Sequence, residues 1–174
     1  MLIKACKEGN RTGQKKLYQL FFSYGMSVAI RYAGDQAEAE DVFNEAFFKV
    51  FKKIDQFDES KNFKAWFRRI VIHTSIDYNR KYKKLKPYSI EEHTVADTDH
   101  NFGWDNLLYE DILKHIQALP PSYRIVFNMR AIEGFKHREI AELLKISINT
   151  SKSQLILAKK RMRELYKKKH KNII

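Results

Sequence analysis

Only three prolines and six glycines interrupt the 174 residues, and there is a single cysteine. So few helix breakers, with little strict two-residue alternation of apolar and polar side chains, argue against a sandwich or barrel and for an all-α protein. Cys6 alone permits no internal disulfide. His93 and His100 stand seven residues apart with no cysteine nearby, a spacing that does not recur in metal sites, so no metal and no other cofactor is expected. No apolar run reaches the ~18 residues of a membrane span, and the opening MLIKACKEGN lacks the apolar core of a signal peptide. A cytoplasmic chain without membrane insertion is therefore expected. There is also no Gly-rich phosphate loop and no cluster of nucleophile and base, which speaks against an enzyme on a helical scaffold.

What the chain does have is apolar content and positive charge. With 44% hydrophobic and 13% aromatic residues it is not a disordered polyelectrolyte, and a formal net charge of +12 asks for a polyanionic partner. A ribosomal or membrane-surface protein fits those totals as well as a DNA-binding one. The distribution is more informative: 17 Lys/Arg stand against 10 Asp/Glu in residues 1–84, 1 against 7 in 85–111, and 15 against 4 in 112–174. Two small basic helical domains, 1–84 and 106–174, joined by an acidic linker over 85–105, is the simplest organisation.

In the first block the spacing of Leu17, Leu20, Phe21, Tyr24, Val28 and Tyr32 predicts a helix over 12–32, stopped at Gly34. Asp35 is placed to cap a second helix over 36–54, acidic at its start and basic at its end, with Val42 or Phe43, Ala46, Phe47, Val50, Phe51 and Ile54 on its core side. On its other side Asp41, Asn44, Glu45 and Phe48 line up at i, i+3, i+4 and i+7. An acid and amide row ending in a phenylalanine suits a protein partner, since phosphates would be repelled; a solvated face beside a core phenylalanine gives the same pattern. A third helix follows the loop at 57–62, burying Phe63, Trp66, Phe67 and Ile70. Its pattern weakens at His73-Thr74-Ser75, which predicts a polar kink before Tyr78 and the basic run Arg80-Lys81-Tyr82-Lys83-Lys84. Aromatics interleaved with cations beside polar edges are what melted DNA requires.

In the last block a helix through Leu107, Leu108, Ile112 and Ile116 should break at Leu119-Pro120-Pro121-Ser122 and resume over 123–132, ended by Gly134. Two helices joined by a short turn follow. His137–Leu144 repeats apolar residues at Ile140, Ala141 and Leu144, Ser147 is placed to cap what comes next, and Leu155, Ala158, Met162 and Leu165 form one stripe of the second helix. The opposite side carries Asn149, Ser153, Ile156, Leu157 and Lys160, with Lys152 and Gln154 on its flanks. A helical hairpin of a small bundle shows such a stripe too, but packing alone needs no run like Lys159-Lys160-Arg161; a helix-turn-helix that enters a major groove does.

Taken in order, AEDVFNEAFFKVFKKIDQF, FKAWFRRIVIHTSIDYNRK and LPPSYRIVFNMRAIEGFKHREIAELLKISINTSKSQL resemble the extracytoplasmic-function (ECF) group of RNA polymerase sigma factors over nearly the whole chain. The resemblance implies a non-enzymatic initiation subunit that binds core RNA polymerase and promoter DNA, with an anti-sigma protein as a further partner. It gives Asp41, Asn44, Glu45 and Phe48 to the polymerase, Asn44 standing where relatives carry Gln. His73, Thr74, Ser75, Tyr78, Arg80 and Lys81 fall to the -10 element; Lys152, Ser153, Gln154, Ile156, Leu157 and Lys160 fall to the -35 element. Relatives often carry Arg where Gln154 and Leu157 stand, which implies fewer guanine contacts here. Ser151, at a spot usually taken by Val, is expected to cost packing unless its hydroxyl bonds back into the preceding turn. A free-standing helix-turn-helix regulator, acting without polymerase, is the competing expectation.

Overall fold

The computed structural model describes residues 2–82 and 104–170, with side chains described over 2–82 and 109–167. Every assigned element among the described residues is helical. The chain divides into two compact units, residues 1–82 and 83–174. The expected linker, with His93 and His100, lies outside the described residues except for its last two positions, which open a helix. Lys83, Lys84 and the side chains of Leu107 and Leu108 lie outside them too.

The first unit opens with a short helix that periodicity did not reveal, α1 (Leu2–Lys7), tied down by a 3.1 Å ion pair from Lys7 to Glu59. Helix α2 (Arg11–Tyr32) starts where the Asn10 side chain accepts the Gly13 amide at 2.9 Å. Leu17, Val28 and Tyr32 are buried as the spacing predicts, but Leu20 is 67% exposed. At 100° per residue Leu20 falls about 60° to one side of Leu17, outside the stripe. Helix α3 (Gln36–Lys53) begins at Asp35, whose carboxylate accepts the Glu38 amide at 2.9 Å while Glu38 accepts the Gly34 amide at 2.7 Å. Val42 and Phe43 are both buried. A 3₁₀ turn (Ile54–Gln56) and a loop held by Asp58, which accepts the amide and hydroxyl of Ser60, lead to α4 (Phe63–Tyr82).

Phe67 of α4, fully buried, is the hub of this unit: its ring centroid lies 4.8 Å from Phe47, 5.6 Å from Phe21, 6.2 Å from Phe63 and 6.4 Å from Phe43. Such pairs contribute about 0.5–1.5 kcal/mol each beyond the area they bury. Trp66 is only half-buried, against Phe57 and Phe63. The polar kink expected at His73-Thr74-Ser75 is not there: α4 runs unbroken through it. Thr74, Ser75 and Asn79 are buried, and Ser75 and Asn79 turn their polar groups back on the helix, Ser75 Oγ donating to the Val71 carbonyl at 2.8 Å and Asn79 Nδ2 to the Ser75 carbonyl at 2.9 Å. Polarity there belongs to a buried face of a continuous helix, in which Thr74 Oγ1 and Asn79 Oδ1 have no hydrogen-bond partner among the described residues, and not to a break.

The second unit contains α5 (Trp104–Gln117), α6 (Pro121–Phe127) with a π turn (Asn128–Ile132), α7 (His137–Leu144) and α8 (Ile148–His170). Pro121 occupies the first turn of α6, where its missing amide costs nothing. Buried Arg124 donates to the Gln117 and Leu119 carbonyls, closing the end of α5. Ile116 faces the core, whereas Ile112 is exposed. Gly134, at φ 82°, ends the π turn. Between α7 and α8 the expected turn is present: Lys145 takes the left-handed conformation, the Ile146 amide returns to the Ala141 carbonyl at 3.1 Å, and Ser147 Oγ accepts the Thr150 amide at 2.9 Å. Ser151 differs from expectation. It is buried on the inner stripe, but its hydroxyl meets His137 Nδ1 of α7 at 2.9 Å, joining the two helices, and not the turn before it.

Two outcomes follow. A Cβ at Gly25 would lie 2.5 Å from Phe43 and 2.8 Å from Phe67, rings that cannot swing away, so Gly25→Ala should destabilise the first unit by about 1–3 kcal/mol in urea titration despite the better helix propensity of alanine. His137 is held below its ordinary 6.5, first by desolvation and then by Arg130, Lys152 and Lys159. Its folded form therefore binds fewer protons than the unfolded chain just below 6.5; the stability it contributes is full above that value and falls as pH drops through it. Thermal unfolding of wild type and His137→Gln on both sides of 6.5 should show the smaller loss in the variant.

Candidate functional site

The aromatic hub turns one side of α3 inward and leaves Asp41, Asn44, Glu45 and Phe48 on the surface. Phe48 is 61% exposed, shielded on one face only by Lys52, whose Nζ lies 5.0 Å from the ring centroid. The row is steadied from below. Tyr18 of α2 donates to Asn44 Oδ1 at 2.9 Å, Lys49 pairs with Glu45 at 3.0 Å and reaches Asp77 of α4 at 3.5 Å, and the Tyr78 hydroxyl stands 3.5 Å from Asp41. Burial, then Glu38 and Asp41, raise the Tyr78 phenol above its ordinary range, so it remains a donor. Exposed pairs of this kind contribute about 0–1 kcal/mol each. They orient the row more than they stabilise the unit. Sequence reasoning missed Tyr18 and Lys49; only the i+4 spacing of Lys49 from Glu45 signalled either.

Along α4, His73, Arg80, Lys81 and Tyr82 are exposed and Tyr78 is half-buried, while Thr74 and Ser75 do not reach the surface, a correction to their expected place among the DNA readers. Desolvation of its ring, with Arg69, Lys49 and Lys53 adding to it and Asp77 opposing, holds His73 below the ordinary imidazole range. Neutral His73 offers one donor and one acceptor, enough to engage a base edge. The rings of Tyr78 and Tyr82 sit 4.7 Å apart, and Lys81 lies 4.8 Å from the Tyr82 ring centroid. A stacking surface edged with cations results.

On α8 the inner stripe is Ser151, Leu155 and Ala158, with Met162 and Leu165 half-buried. Outward stand Asn149, Lys152, Ser153, Ile156, Leu157 and Lys160. Gln154 is half-buried at the edge of this face, further from a partner than the flank position suggests. Small hydroxyl and amide groups, aliphatic tips and flanking ammoniums are chemistry that a major groove accepts. Among the described residues no group of three or more His, Cys, Asp or Glu could hold a metal ion, and no helix is long and apolar enough to cross a membrane.

The family model for Sigma-70 region 2 matches residues 17–85, and that for Sigma-70 region 4 matches residues 109–162. The chain is 28% identical over 177 residues to the ECF RNA polymerase sigma factor SigW of Bacillus subtilis (strain 168), covering 93% of each protein. It is 30% identical over 141 residues to the RNA polymerase sigma factor SigV of the same strain, covering 78% of this chain and 80% of that one. Among solved structures it resembles the sigma factor RpoE in complex with the anti-sigma factor NepR from Bartonella quintana, with a TM-score of 0.53, 25% identity, and 88% and 96% of the two chains covered. CnrH in complex with the cytosolic domain of CnrY, with a TM-score of 0.50 at 19% identity over 95% and 94%, is a likeness of fold. With both region models matched in order and SigV aligned over most of its length, the chain belongs to the RNA polymerase sigma factors, in their extracytoplasmic-function group.

Proposed function

We propose that the two units divide the work of promoter recognition between them. Asp41, Asn44, Glu45 and Phe48 of the first dock on core RNA polymerase. His73, Tyr78, Arg80 and Lys81 engage the -10 element, with the Tyr78–Tyr82 ring pair as the stacking surface for an unpaired base. In the second unit Lys152, Ser153, Ile156, Leu157 and Lys160 lie in the major groove of the -35 element, while Gln154 supports that face from its edge. The chain is a cytoplasmic binding subunit, and the bond-forming chemistry belongs to the polymerase. The observation that carries this reading is the exposure, one in each unit, of an acid and amide row on α3 and a cation-flanked reading face on α8. An anti-sigma protein, as in the complex of RpoE with NepR, fits as a regulator that covers these faces.

Run-off transcription with purified core polymerase on DNA upstream of this chain's own gene tests the reading, and a discrete transcript that requires the chain is the expected result. Gel shifts separate it from the free-standing regulator: specific promoter binding should need core polymerase, and tight specific binding without it would overturn the assignment. Charge reversal of the row, Asp41→Lys with Glu45→Lys, should weaken association with core polymerase at least about tenfold, because like charges then face the site that the acids served. Far-ultraviolet circular dichroism should show unchanged helix content, since both side chains are exposed. Undiminished association would remove α3 from the interface.

A further inference from the structure

The outward face of α8 carries a feature that phosphate binding does not need. Ile156 is 67% exposed and its neighbour Leu157 42% exposed, on a helix that buries Leu155 and Ala158 and otherwise exposes an aliphatic side chain at its first residue, Ile148, at 44%. Water therefore meets two adjacent branched side chains that sit about two turns beyond the helix start. Lys152, Lys159 and Lys160, all exposed, stand around them. Whatever covers this patch must be polyanionic at its rim and apolar at its centre. On the major-groove edges of duplex DNA the apolar group is the C5-methyl of thymine; the other exposed base-edge groups are hydrogen-bond donors and acceptors.

We infer, on the reading that α8 enters the -35 element, that Ile156 and Leu157 select thymines there by packing against their methyl groups. The side chains between Asn149 and Lys160 support this division of labour. Beside Ile156 and Leu157 the centre of the face holds Ser153, with Asn149 exposed about one turn earlier and Gln154 half-buried at the edge; no arginine stands there to make a two-pronged contact to guanine. The lysines reach outward on long flexible stems, suited to backbone phosphates that carry no sequence information. Discrimination at the centre of the contact then rests on shape and apolar burial. Each methyl removed should weaken binding about fourfold, the value of one buried carbon in water transfer.

The test uses the full chain bound to core polymerase. Duplex DNA from upstream of the chain's own gene, with its -35 segment randomised, is selected for binding, and thymines in the selected sequences are then replaced one at a time by deoxyuridine, which removes only the methyl. Enrichment of adjacent thymines, a loss of about fourfold for each of them on replacement, and disappearance of that loss in Ile156→Ala/Leu157→Ala are the expected results. Selected sequences without thymine, indifference to deoxyuridine, or an undiminished deoxyuridine penalty in the double variant would each overturn the inference while leaving α8 as the -35 reader. Absence of any sequence preference in the randomised segment would overturn that reading as well.

Discussion

The close approach of α2, α3 and α4 around Phe67 is the constraint from which the surface chemistry of the first unit follows. Gly25 has no side chain because the rings of Phe43 and Phe67 occupy that space. With α2 drawn in, Phe21, Phe43, Phe47 and Phe67 interlock at centroid distances between 4.8 and 6.4 Å, and interlocked rings leave a helix little freedom to rotate about its axis. A helix whose inner face is fixed has its outer face fixed too. Asp41, Asn44, Glu45 and Phe48 thus stand in one row on α3, and His73 and Arg80 face outward from α4, as consequences of core packing.

That logic explains which parts could be read from the sequence. Wherever one helix buries one stripe, spacing is enough: α3 was legible from Asp35 to its basic end, and α7, the turn at Lys145 and the cap at Ser147 were legible residue by residue. Legibility failed where polar side chains are buried. Ser75 and Asn79 bond to carbonyls of their own helix, so a core face looks polar in sequence and reads as a kink. It failed again where partners are remote, since nothing near Asn44 announces Tyr18 and nothing near Ser151 announces His137. It failed last with α1, whose six residues are too few for a period to register.

In the candidate site the identity of the exposed residues was legible, and their support was not. Phe48 illustrates the difference. Its position in the row could equally mark a core ring, and only packing decides that the inner side of α3 is already filled by Phe43, Phe47 and Val50. Ile156 is the opposite case: apolar character suggests a bundle interior, but helical spacing already sets it opposite the buried stripe, and it is 67% exposed.

The proposed polymerase-docking row also shows how a protein can keep an acidic face ready for a partner without stabilising it against binding. Each carboxylate is engaged, Glu45 with Lys49 and Asp41 with Tyr78, but through exposed or long contacts that contribute little net free energy. A cationic or amide-bearing partner can therefore replace these neighbours at small cost. Lys49, already shared between Glu45 and Asp77, would shift toward Asp77, and Tyr78 would be released toward its stacking neighbour Tyr82. The ring packing beneath the row is not weak, so the row's side chains can exchange neighbours while the helices keep their places.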